Sequence, residues 1–134
     1  MDETKTVMQA AFNTATIGVL NQGGPAMTPE RACAYRVDGR KCAVGHLLSD
    51  EQIAEYNIKP QDLVARFNAN LLTEIMPGVD ASVTAAFLRA LQSAHDDVAL
   101  SILHQESFAK IFLERANAIA TEYGLDPIET KVTQ

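Results

Sequence analysis

Residues 33–46 read CAYRVDGRKCAVGH and gather both cysteines of the chain and one of its three histidines around the pair Asp38-Gly39. Asp-Gly is a preferred pair for a two-residue type I′ turn, and it is flanked here by Tyr35-Arg36-Val37 and Arg40-Lys41-Cys42. The stretch therefore predicts a β-hairpin over about residues 33–44. In that register Val37 faces Arg40, Tyr35 faces Cys42 and Cys33 faces Val44. Side chains alternate along a strand, so Cys33, Tyr35, Val37, Arg40, Cys42 and Val44 share one face, and Ala34, Arg36, Lys41 and Ala43 the other. A lone hairpin is marginal in water and must lie against helices, with the cysteine-bearing face turned inward.

Outward from the hairpin the chain reads as helix. Before it, Met8, Phe12, Ala15 and Val19 recur at helical spacing, and Gly23-Gly24-Pro25 breaks the pattern. After it, Ser49 is placed to cap a short helix through Tyr56, with Asp50 and Glu51 at its positive end. Pro60 fits a first helical turn, and Leu63, Phe67, Leu71 and Ile75 then form the buried stripe of a third helix ending at Pro77-Gly78. Asp80 caps a fourth, with Val83, Phe87, Ala90, Leu91, Ala94 and Val98 inward; Leu100 to His104 either extends it or bends away. Phe108, Ile111, Phe112, Ile119 and Tyr123 carry the last helix, stopped at Gly124. The tail from about Asp126 is polar and is expected to fray.

The fold class is thus mainly α, a compact bundle of about four to five helices with one hairpin packed against it. A chain of 134 residues with 47% hydrophobic content fits one domain over 1–134. The acidic N-terminus lacks the pattern of a secretory signal and no apolar run is long enough to span a bilayer, which places the protein in the cytoplasm with reduced thiols and away from membranes. A net charge of −6 disfavours broad affinity for nucleic acid and suits docking on a basic protein surface.

Three kinds of chemistry compete for the hairpin. Cys42, followed by a helix start that would favour a thiolate and with Arg40 and Lys41 adjacent, forms a nucleophile–base–orienter set with His95 and either Asp96 or Asp97 if the hairpin meets the fourth helix. Cys33, Cys42 and His46 are candidate zinc ligands, although C-x8-C-x3-H lacks the close cysteine pair of familiar fingers. A disulfide is disfavoured, because diagonal neighbours leave β-carbons about 6–7 Å apart where a bridge needs roughly 4 Å. The preferred reading is structural: Tyr35, Cys33, Cys42, Gln92 and His95 form a semi-polar junction that fixes the hairpin's angle. Arg31, Arg36 and Lys41, beside Arg40, form a cationic cluster suited to an acidic group. No motif calls for a cofactor.

The blocks CAYRVDGRKCAVGHLLSDEQ and FLRALQSAHDDV resemble small phage and prophage proteins in which a tyrosine-arginine hairpin leads into KCAVGHL or KCAIGHL, with an LQ-x-AHD helix downstream. The resemblance spans roughly Ala32 to Leu125. Its matching positions are Cys42, Gly45, His46, Gln92, His95 and Asp96. Those relatives commonly read LIPDE where this chain has LLSDE at Leu47 to Glu51, so no role of that proline carries over. The resemblance implies a phage-related origin and supplies no reaction. Taken with the compactness, the acidity and the absence of a cofactor motif, it leads to the expectation of a non-enzymatic interaction protein that modulates a host protein through an acidic helical surface or the exposed hairpin face, an inhibitor of bacterial defence being one form. The alternatives are a cysteine-dependent hydrolase or transferase using Cys42 and His95, and a zinc-stabilised small domain.

Overall fold

A computed structural model describes residues 3–22, 25–26, 35–37, 39–59, 63–101 and 105–129, with backbone alone at 36, 37, 100, 101 and 105–107. The elements are α1 (Glu3–Asn21), β1 (Arg36–Val37), β2 (Arg40–Lys41), a 3-10 turn (Val44–Leu47), α2 (Asp50–Glu55), a second 3-10 turn (Val64–Arg66), α3 (Ala69–Ile75), α4 (Ala81–Ser101) and α5 (Gln105–Glu122). The molecule is mainly helical. α4 packs along α5, α1 packs on α5, α3 packs on α4, and the first 3-10 turn is held between α1 and α4.

The hairpin has the predicted register, Val37 opposite Arg40 and Arg36 opposite Lys41, and Gly39 takes φ 81° as the second position of a primed turn requires. Cys42 N–H donates to the Tyr35 carbonyl over 3.3 Å, which extends the pairing one rung. It ends there. Ala43 has already turned helical (φ −54°, ψ −51°) and Val44 opens the 3-10 turn, so the hairpin is shorter than the predicted 33–44 and Val44 forms no rung. Once alternation stops, Ala43 is buried with Cys42 and Val44 instead of facing outward. Tyr35 is buried on the expected face, while Cys33 and Ala34 lie outside the described residues.

α1 buries Met8, Ala11, Phe12, Ala15, Thr16 and Val19, one continuous stripe, and runs through Thr14, Thr16 and Gly18, which are weak helix formers, to Asn21. α2 starts as predicted: Ser49 Oγ accepts from the Gln52 N–H over 3.0 Å, and Gln52 Oε1 accepts from the Ser49 N–H over 2.9 Å, a reciprocal capping box. The predicted third helix is two pieces. Asn68 Oδ1 accepts the Asn70 N–H over 2.7 Å and so starts α3 afresh after the second 3-10 turn. The stripe shifts with it: Val64, Leu71, Leu72 and Met76 are buried, whereas Leu63 is 63% exposed. Pro60 lies outside the described residues.

On α4 the inward face is Thr84, Phe87, Leu88, Leu91, Ala94, His95, Val98 and Ala99, and Val83 points out. Helix continues to Ser101; His104 is not among the described residues. α5 closes with Gly124 N–H donating to Thr121 and Leu125 N–H to the Ala120 carbonyl over 2.7 Å, burying Leu125 behind the stop. Of the tail expected to fray from about 126, residues 126–129 are described, and they are held to the helices. Gln9 brackets the backbone of Asp126, donating to its carbonyl and accepting its N–H, and Asn117 brackets Ile128 in the same way.

Candidate functional site

The two blocks meet in one place. β2 and the turn after it carry Cys42 and Val44, α4 carries Gln92, His95 and Asp96 one turn apart on one side, and Ala26 arrives from the loop after α1. Gln92 Oε1 accepts the Val44 N–H over 3.2 Å while its Nε2 donates to Asp96 Oδ1 over 2.7 Å. The same carboxylate oxygen lies 2.8 Å from His95 Nδ1. His95 Nε2 lies 3.2 Å from the Ala26 nitrogen and accepts its proton. A ring nitrogen that accepts cannot carry hydrogen, so the imidazole's proton sits on Nδ1 and is donated to Asp96. His95 is fully buried, edge-on to the stacked pair Phe108 and Phe112 with centroid separations of 5.6 and 6.4 Å.

Cys42 lies within this junction as a thiol. Burial pushes its pKa up to about 12, the nearby Asp96 charge acts in the same direction, and the Gly45 N–H, which donates to Sγ over 3.3 Å, offsets only part. A helix start was the basis for expecting an activated thiolate; a turn of four residues brings one N–H to the sulfur, and desolvation outweighs it. Asp96 does orient His95 as a relay would require. The ring's other nitrogen, however, is spent on Ala26, so the imidazole offers no free base to the thiol.

On the opposite side the junction is clamped by α1. Lys41 faces Arg36 at a pair whose N–H and C=O point away from β1, and Gln22 receives both: Oε1 accepts the Lys41 N–H over 2.8 Å and Nε2 donates to the Lys41 carbonyl over 2.6 Å. A side-chain amide stands in for a third strand. His46 Nε2 lies 3.0 Å from the same Gln22 oxygen and donates to it. The His46 ring rests on Gly18, where an added β-carbon would fall 2.5 Å from Nδ1. Gly45 is needed for a parallel reason, since a β-carbon there would overlap the Tyr35 carbonyl oxygen. Tyr35 itself packs on Phe67, ring centroids 5.8 Å apart.

The structure thus brings together Tyr35, Cys42, His46, Gln92, His95 and Asp96. Cys33, Arg31 and the Arg36 side chain are outside the described residues; Lys41 is half-buried, its backbone held by Gln22. Among the described residues no group of three His, Cys, Asp or Glu side chains is placed to hold a metal ion. Sequence reasoning missed Gln22 and Ala26, because an amide at a helix end and an alanine in a loop carry no chemical signature. Only the unmet hydrogen bonds of the Lys41 edge would have pointed to a partner. No protein-family model, curated protein or solved structure matches the chain.

Proposed function

We propose that this is a small, non-enzymatic interaction protein of phage or prophage origin that acts in the bacterial cytoplasm by binding and modulating a host protein, a defence protein being one form of that partner. One observation carries the reading: the residues with chemical potential are consumed in holding the fold. The Cys42 thiol stays protonated, both His95 nitrogens are bonded, and Gln92 and Asp96 bridge hairpin to helix. A site built to react keeps a nucleophile and a base available to substrate. This junction instead supports a rigid scaffold.

The working surface is then the acidic exterior. α2 buries none of its residues and exposes Asp50, Glu51 and Glu55, so it suits a basic patch on the partner. No helix among the described residues is long and apolar enough to cross a membrane. Crosslinked affinity capture from bacterial lysate tests the reading, with an Asp50→Lys/Glu51→Lys/Glu55→Lys variant beside the wild type. A reproducible partner lost in the variant is the expected result. Failure to recover any partner with the wild type counts against the proposal.

A further inference from the structure

Away from the junction, α2 and the segment running into α3 enclose a cleft of about 380 Å3, within the range of small-ligand sites. Its lining is mixed: most of the surface open to the cleft is polar, half-buried Ile58 and Phe67 offer an apolar patch, and Leu71 is fully buried. The Tyr56 ring forms a wall whose position is fixed, because its hydroxyl donates to Glu74 Oε2 over 2.5 Å and Gln52 Nε2 donates to the other carboxylate oxygen over 3.1 Å. Those two hydrogen bonds hold the Glu74 carboxyl below its usual range and leave it occupied.

The rim carries charge of both signs. Glu55 comes from the last turn of α2, and Arg66 from the end of the second 3-10 turn; both are exposed and both line the cleft. Neither makes an ion pair with another described residue. Asn68 lies beside Arg66, its Oδ1 committed to the Asn70 N–H and its amide nitrogen left as a donor. Glu55 answers an ammonium; Arg66 with Asn68 answers a carboxylate, the match that a guanidinium fork makes best.

We infer that this cleft binds a small zwitterion of the class of a free α-amino acid with a branched or aromatic side chain: ammonium on Glu55, carboxylate on Arg66 and Asn68, side chain against Phe67 and Ile58. The inference is independent of any host partner. A rim of one sign would select a simple cation or anion. Opposite signs beside an apolar patch select a molecule that carries both.

The test is an amide-resolved NMR titration of the full chain at neutral pH with L-phenylalanine and L-leucine, each compared with its N-acetyl form, which has no ammonium, and its amide form, which has no carboxylate. Saturable shifts at residues 55–58 and 66–71 with the free amino acids, and at least tenfold weaker binding of both blocked forms, are expected. Glu55→Gln should erase the preference for the free over the N-acetyl form, and Arg66→Gln the preference over the amide; both positions are exposed, so both variants should fold. No saturable shift, equal binding of free and blocked forms, or shifts centred elsewhere would overturn the inference.

Discussion

Because burial holds the Cys42 thiol protonated up to about pH 12, iodoacetamide should leave it unmodified in the native protein at pH 8 and alkylate it rapidly after denaturation, read by peptide mass mapping to separate it from Cys33. The same shift has a stability consequence of defined sign. The unfolded thiol loses its proton near its ordinary value of 9.0 and the folded one near 12, so the folded state binds more protons between them and stability falls as pH rises through that window. Wild type should therefore lose up to about 1.4 kcal/mol per pH unit more than Cys42→Ala between those limits in denaturant titrations. Below the window Cys42→Ala should be less stable by about 1–2 kcal/mol, from the small void it leaves. His95→Ala should cost about 1–3 kcal/mol, since it strands the Ala26 N–H and removes one of the hydrogen bonds to Asp96; long-range nitrogen-15 correlations in the wild type should find the proton on Nδ1. Among the described residues, two buried hydroxyls, Thr16 Oγ1 and Thr84 Oγ1, have no hydrogen-bond partner. Replacing either with isosteric valine should stabilise the fold by about 1 kcal/mol, seen as a higher denaturation midpoint; a loss of stability would mean the hydroxyl is satisfied.

Among the elements, the hairpin is the one whose position depends on others. Two residues per strand cannot hold a sheet in water, and the α1 clamp through Gln22 supplies the missing edge. Gln22→Ala should speed exchange of the Lys41 amide at least tenfold while leaving α4 and α5 amides protected, a local opening visible by hydrogen exchange. Gly18→Ala should be worse than its helix propensity suggests, because the methyl displaces the His46 ring from α1. α2 and α3 show what local sequence can and cannot convey. The cap at Ser49 was legible, since the hydroxyl and the N–H it accepts lie within three residues of each other; the reciprocal bond from Gln52 came only with the structure. The break at Asn68 was not, because the stripe from Leu63 to Ile75 is periodic enough for one helix, and only packing chose a new start at Asn68.

For the molecule as a whole, side-chain amides recur as the device that pins irregular backbone to helices: Gln22 on Lys41, Gln9 on Asp126, Asn117 on Ile128. Each supplies one donor and one acceptor to a single residue, which satisfies backbone groups that no strand pairs. Gln9 and Asn117 together join α1, α5 and the residues after them. The double variant Gln9→Ala/Asn117→Ala should lower the thermal midpoint and render the backbone at 126–129 accessible to protease before the helices unfold.

The sequence by itself determined the helical character of the chain, the Asp-Gly turn with its register, the caps at Ser49 and Gly124 and the inward direction of Cys42. All of these rest on neighbours a few residues apart, where propensity, alternation and turn chemistry act. Only the tertiary structure decided where the hairpin ends, which nitrogen of His95 faces Ala26, that the sulfur remains a thiol, and that Gln22 closes the sheet edge. These depend on desolvation and on hydrogen bonds between segments 19 to 69 positions apart, and such terms come into existence only when the core has formed.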